Sequence, residues 1–316
     1  IRDPEMSRGL GDVYKRQEAM KHIGIITGAT GYIGSHLLRY LLRQDWELHI
    51  ITQPEFGYFN IEDIKDDIHI FEYNHDVHSL IDYFRKVNAE VVFHLAAAVI
   101  TNHAPTQIPV LIQSNVEFGT EILEAMKQSA TRLFIGTGSY WQNYNSDTYN
   151  PVDLYAATKE AFEKIVQYYV DAHGFRAITL RLFDVYGEDD KRPKLLNILK
   201  RIAGTDESID VSPGEQFLDM VHISDVCSAY LCAYNLLCSN SSIFNKVYGV
   251  YTGNRIQLKE MIKMFSGILQ QNIHVNIGAK PYKEREVMNP TDKYRRLPNW
   301  NPSIMICDGL KLFNMN

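Results

Sequence analysis

A short apolar run, residues 21–27, leads into Thr27-Gly28-Ala29-Thr30-Gly31-Tyr32-Ile33-Gly34, with glycines at 28, 31 and 34. No other feature constrains the fold as tightly. Glycine tolerates positive φ and, lacking a Cβ, lets backbone N–H groups approach a phosphate. Residues 33–42 place apolar side chains at Ile33, Leu37, Leu38, Leu41 and Leu42, the spacing of one helix face. A helix starting at the loop adds partial positive charge there. The glycine spacing alone would also suit a tight turn without a ligand. Between a buried strand and an amphipathic helix it predicts a dinucleotide-binding loop, with Gly28, Thr30, Gly31, Tyr32, Ile33 and Gly34 as contacts.

The same alternation continues along the chain. Strands are expected at 47–52, 68–71, 90–95, 132–137 and 176–182, and helices at 77–87, 108–128 and 152–172. Near-continuous apolar strands such as Val91-Val92-Phe93 fit burial on both faces. The pattern predicts an α/β fold of the Rossmann type, a doubly wound parallel sheet with a smaller C-terminal substrate-binding lobe. Residues 20–186, with 216–250 returning to them, make the dinucleotide-binding part; 187–215 and 251–316 make the lobe. Residues 1–19 carry no such pattern and no apolar signal core, and are expected to be a non-native or disordered leader.

Composition narrows the partners. Lys and Arg number 32 and Asp and Glu 38, giving a net charge of −6. That balance supplies no electrostatic reason to expect nucleic acid. No apolar run is long enough for a bilayer, so no membrane partner is expected and the chain reads as cytoplasmic. Cys227, Cys232 and Cys238 fall in one expected helix, Cys307 lies apart, and the spacings match no zinc motif. Buried reduced thiols and no metal are expected.

Tyr155 and Lys159 stand four residues apart, which puts phenol and ammonium on one helix face. Among the 19 tyrosines only Tyr155 has Lys at that distance. Free tyrosine titrates near pH 10 and exchanges protons poorly at neutral pH. A nearby ammonium favours the phenolate, so Lys159 is expected to bring Tyr155 toward the working range. At the end of the fifth strand Thr137 and Ser139 offer hydroxyls, which would otherwise cap a turn.

These segments, with Arg181-Leu182-Phe183-Asp184-Val185-Tyr186-Gly187 and Asp219-Met220-Val221-His222-Ile223-Ser224-Asp225-Val226, resemble the extended short-chain dehydrogenase/reductase family, also called the NAD-dependent epimerase/dehydratase family. The resemblance runs from residue 20 onward. Together with Gly138-Ser139-Tyr140-Trp141 it is nearest to nucleotide-sugar 4-ketoreductases of the CDP-abequose synthase type, which serve O-antigen biosynthesis. It implies that Thr137, Tyr155 and Lys159 are catalytic and that Tyr155 and Lys159 also meet the cofactor. Thr52 and Gln53 would face the adenosine ribose, Asp76 and Val77 the adenine, and Leu95, Ala96 and Ala97 the cofactor's flank. With no carboxylate at 52–53, NADP(H) is favoured and NAD(H) is the alternative.

Ser139, Tyr140, Asp184, Lys191 and Arg192 would meet a nucleotide-sugar substrate. Asp184 stands where the family has Asn and cannot donate as Asn would when ionised. The family's 4,6-dehydratases carry Thr-Asp-Glu where this chain has Thr137-Gly138-Ser139, so dehydration is not expected. His222 is expected to be structural. A homodimer through helices 108–128 and 152–172 is implied. Two readings compete with the ketoreductase: a 4-epimerase with tightly bound NAD, and a non-catalytic dinucleotide sensor.

Overall fold

The computed structural model describes residues 21–291 and 294–315, so the expected leader at 1–19 lies outside the described residues. In chain order the elements are β1 (Ile23–Thr27), α1 (Tyr32–Leu42), β2 (Glu47–Thr52), β3 (His69–Glu72), α2 (Val77–Val87), β4 (Val91–His94), α3 (Ile108–Ile112), α4 (Phe118–Lys127), β5 (Leu133–Ser139), α5 (Leu154–His173), β6 (Arg176–Leu182) and β7 (Asp184–Tyr186). There follow α6 (Leu195–Ile202), β8 (Ser208–Val211), β9 (Phe217–Leu218), β10 (Met220–His222), α7 (Ile223–Ser239), β11 (Asn245–Val250), β12 (Ile256–Gln257), α8 (Leu258–Leu269), β13 (His274–Ile277) and α9 (Ile306–Met315).

Seven strands form one parallel sheet in the order β11-β6-β5-β4-β1-β2-β3. The chain winds outward from β1 through β2 to β3, then crosses back to β4 and winds the other way. The reversal opens a crevice at the C-terminal ends of β1 and β4, where ligands of such sheets bind.

Side-chain alternation explains why the sheet is covered twice. Ile26, Phe93, Ile135 and Ile178 face one core, shared with Leu37, Leu38 and Leu41 of α1 and Tyr230 of α7. Their neighbours Ile25, Val92, Phe134 and Ala177 face the other, shared with Leu80 and Phe84 of α2, Ile122 of α4 and Phe162 of α5. Successive residues point to opposite faces, so each strand must be apolar throughout.

A third core joins Leu196, Leu199, Met261, Ile262, Phe265, Leu310 and Phe313 from α6, α8 and α9. Beside it β8 pairs with β13, β9 with β12, and β7 with β10. This smaller assembly stands over the C-terminal edge of the sheet.

Two local readings are corrected. The helix expected over 108–128 is broken by a π-helical turn at Gln113–Glu117 between α3 and α4. The four thiols are free as expected, but only Cys227 is buried; Cys238 and Cys307 are exposed.

Candidate active site

A cleft of about 680 Å³ lies at the crevice. Gly28, Gly31, Tyr32, Ile33 and Gly34 line one side; Thr137, Ser139, Tyr140, Tyr155, Lys159 and Asp184 line the other. The loop is shaped for close approach. Gly28 has φ +70°, and a Cβ there would come within 2.5 Å of the Ala96 nitrogen. A Cβ at Gly34 would meet the Gly28 carbonyl oxygen at 2.1 Å. At Gly31, the N-cap of α1, the only nearby atom would be the Gly28 oxygen at 3.2 Å, so this residue borders open space. An anion can rest there against the helix N-terminus, and the residues present fit a dinucleotide pyrophosphate.

Lys159 is buried, and burial pulls its ammonium down to about 8 against the opposing effect of the Glu163 carboxylate. Its Nζ lies 6.0 Å from the Tyr155 ring centroid. Burial raises the Tyr155 phenol above its ordinary value; the Asp153 carboxylate raises it further, and Arg192 pulls the other way. The phenol is therefore held in its protonated form, the reverse of the lowering expected from Lys159. Burial is the largest of these effects and outweighs the opposing Arg192 charge.

Thr137 ends a relay. Its Oγ1 donates to the His94 carbonyl oxygen at 2.8 Å and is hydrogen-bonded to the Tyr230 hydroxyl at 2.6 Å. His94 O can only accept, so Thr137 gives its proton there and Tyr230 donates to Thr137. Tyr230 is fully buried. His94 is buried too, with its imidazole depressed to about 3 by burial and then by the Lys159 charge, and its Nδ1 is 2.8 Å from Thr27 Oγ1.

Helix α5, which carries Tyr155 and Lys159, is fixed at three places. Asp153 caps its start by accepting from the Ala156 N–H at 2.8 Å. Buried Arg181 on β6 reaches across to Glu160 at 2.7 Å and Glu163 at 2.6 Å. Asn115, inside the π turn, accepts from the Ala98 N–H at 2.7 Å and donates to Thr158 Oγ1 at 2.9 Å. Thr158 in turn donates to the Tyr155 carbonyl at 2.7 Å. The π turn thus ties the loop after β4 to the turn bearing Tyr155.

Other expected residues are placed less centrally. Thr30, Ala96 and the Thr52, Gln53, Asp76 and Val77 group are not in the cleft wall. Ala96 packs its backbone on Gly28. Thr52 ends β2, Gln53 Nε2 is 3.2 Å from His75 Nε2, and Asp76 caps α2 by accepting from the His78 N–H. Tyr140 donates to both Asp184 oxygens at 3.3 Å, and burial lifts the Asp184 carboxyl to about 6. Arg192 lines the cleft but is held bidentately by Asp190 at 2.6 Å and stacks 4.3 Å over the Tyr32 ring. Lys191 lies over the exposed Phe59 ring, outside the cleft wall. His222 caps α7, accepting from the Ser224 N–H at 3.3 Å, with Nε2 3.1 Å from Glu188. Arg285 bonds Asn150, and Arg296 donates to the Thr252 carbonyl.

Sequence reasoning missed Tyr230, Asn115 and Lys283. Lys283 brings a cation to the cleft from the C-terminal third, 5.8 Å from the Trp141 ring centroid. Only the apolar-helix setting of Tyr230, with a hydroxyl in need of a partner, could have flagged it.

The model of the NAD dependent epimerase/dehydratase family matches residues 25–245. The chain is 29% identical over 300 residues to a CDP-abequose synthase of Salmonella muenchen, covering 91% of this chain and 95% of that one. It is 27% identical over 274 residues to a CDP-abequose synthase of Yersinia pseudotuberculosis, covering 86% and 93%. Its fold is similar to a Thermotoga maritima UDP-glucose 4-epimerase solved with UDP-glucose, at a TM-score of 0.80 and 20% identity, covering 93% of this chain and 97% of that one. Among the described residues no helix is long and apolar enough to cross a membrane.

Proposed function

The chain belongs to the NAD dependent epimerase/dehydratase family, and from that premise we propose that it reduces the 4-keto group of a nucleotide-linked deoxysugar of the CDP- or dTDP-4-keto-6-deoxyhexose type. It is an NAD(P)-dependent oxidoreductase of the extended short-chain dehydrogenase/reductase type. The observation that carries the reading is that one cleft is walled by the glycine loop and by Thr137, Tyr155 and Lys159 together. Its likeness to the two CDP-abequose synthases over most of both chains supports the substrate class.

The loop Gly28–Gly34 would hold the pyrophosphate, Thr52 and Gln53 the adenosine ribose, and Lys159 the nicotinamide ribose. Neither Thr52 nor Gln53 carries a charge to repel a 2′-phosphate, which favours NADPH. When bound, the reduced nicotinamide supplies hydride to the carbonyl carbon. Tyr155 gives its phenolic proton to the sugar oxygen, and solvent replaces that proton afterwards. The Lys159 ammonium stabilises the phenolate formed as the proton leaves. Thr137 would steady the same oxygen by turning its O–H from the His94 carbonyl to the substrate, while Tyr230 keeps donating to Thr137 and so polarises it.

Dehydration is disfavoured, because Gly138 and Ser139 supply no carboxylate beside Thr137. A Cβ at Gly138 would lie 2.8 Å from Glu163 Oε1 and 2.9 Å from Arg181 Cγ, so the Arg181–Glu163 pair occupies the space an acidic side chain would need. The 4-epimerase reading is kept by the likeness to the UDP-glucose 4-epimerase fold. A homodimer through α3, α4 and α5 fits the exposed Ile108, Val110 and Ile112 on α3.

The test mixes enzyme and NADPH with CDP-, dTDP-, UDP- and GDP-linked 4-keto-6-deoxysugars and follows nicotinamide absorbance. Consumption with one of them, abolished by Tyr155→Phe, is expected. No consumption with any, together with NAD retained through purification, would replace the reductase by the epimerase.

A further inference from the structure

Far from the cleft, toward the N-terminal ends of the strands, β2 and β3 form the open edge of the sheet with His49 directly opposite His69. Glu47 precedes His49 by two residues and so shares its face. Glu47 Oε1 lies 3.2 Å from His49 Nε2 and 3.8 Å from His69 Nε2, and the three atoms all fall within 4.8 Å of one another. A tetrahedral ion with bonds of roughly 2.0–2.1 Å sets its ligand atoms about 3.3 Å apart. The three groups therefore need only a small convergence.

Two further features suit an ion. The Tyr83 hydroxyl on α2 is 2.8 Å from His49 Nδ1, which fixes the ring with Nε2 turned to the site, as outer hydrogen bonds do for metal-bound histidines. The His49 ring is packed, while the His69 side chain is 61% exposed. The two rings stack at 4.4 Å with a 24° tilt, so His69 must swing to aim its lone pair at a common centre, and its exposure permits that. Besides His69 itself, Lys86 on α2 places positive charge near His49.

We propose that Glu47, His49 and His69 bind one divalent transition-metal ion of the zinc, cobalt or nickel class, with water completing the shell. Two imidazoles and one carboxylate suit such ions; calcium and magnesium take all-oxygen sets. The ion bridges β2 to the edge strand β3 and, by binding only the native register, stabilises it. Cysteine spacing could not reveal this site, because its ligands come from two strands and meet only through sheet pairing.

The test uses the full chain without a histidine tag, stripped with chelator and titrated with cobalt(II) while visible absorption and Tm are followed. One equivalent should bind with d–d bands, no thiolate-to-cobalt charge-transfer band, and a Tm rise of several degrees. Zinc should compete it out. His69→Ala, an exposed change that leaves the sheet intact, should abolish the d–d bands and the Tm rise, while Cys238→Ser with Cys307→Ser should leave both unchanged. No saturable binding, thiolate bands, or an undiminished response in His69→Ala would overturn the proposal.

Discussion

The Tyr230–Thr137–His94 relay predicts an inversion of sign in a double-mutant cycle. In the parent, Tyr230→Phe removes one buried neutral hydrogen bond of 2.6 Å. Thr137 keeps its bond to the His94 carbonyl, so no polar group is stranded and the cost is about 1 kcal/mol. Thr137→Val differs. It leaves the Tyr230 hydroxyl, fully buried, with no partner, and this desolvated group costs about 1–3 kcal/mol. It also strips His94 O of its donor. Adding Tyr230→Phe to Thr137→Val then removes the stranded hydroxyl and should restore about 1–3 kcal/mol. The same substitution thus destabilises one background and stabilises the other, with a coupling of about 2–4 kcal/mol. Urea unfolding of the four proteins reads this directly from midpoints at constant m. Equal losses from Tyr230→Phe in both backgrounds would refute the relay. On the proposed reaction, Tyr230→Phe should lower kcat severalfold with little change in the KM for NADPH, since the Tyr230 hydroxyl is hydrogen-bonded to Thr137 and Tyr230 does not line the cleft.

Three further outcomes follow from the buried charges. Lys159, brought down to about 8, should be charged below that pH and lose its proton above it, so kcat/KM for reduction should hold in acid and fall as pH rises through about 8; a profile flat to pH 9 would contradict this. Asp184, lifted to about 6, gains a negative charge in the cleft as pH rises through that value, so KM for an anionic nucleotide sugar should increase from pH 5 to 7, and Asp184→Asn should remove the dependence. His94 has a folded pKa of about 3, below the unfolded value of about 6.5. Its contribution is therefore complete above about 6.5 and lost as pH falls toward 3. The drop in urea midpoint between pH 7 and 4.5 should shrink in His94→Gln.

What was legible from sequence was whatever a local pattern encodes. The bounds of β2, α2 and β6 match their expected ranges because period-2 or period-3.6 apolar spacing ended in clear breaks. The glycine loop and the Tyr155/Lys159 face were readable for the same reason. What was not legible depends on partners far along the chain. The π turn is held by Asn115 contacts with Ala98 and Thr158, and no window around residue 115 contains them. Arg192 is the local exception: Asp190, two residues away, grips it with both oxygens, a geometry that the charged sequence around it does not encode. Tyr230 meets Thr137 across 93 positions of sequence.

Where the Tyr155 proton rests also depends on burial rather than motif. Tyrosine and lysine at this spacing serve carbonyl reduction and alcohol oxidation alike, with the phenolic proton moving in opposite directions in the two. Oxidation must begin with a phenolate able to take a proton, whereas reduction must begin with a phenol able to give one. Burial and the Asp153 carboxylate both hold the Tyr155 proton in place. The Asp153 Oδ2 is itself buried without a hydrogen-bond partner, and burial raises that carboxyl in turn. Without cofactor the Tyr155 phenol thus keeps its proton at neutral pH, the state from which the proposed reduction would start.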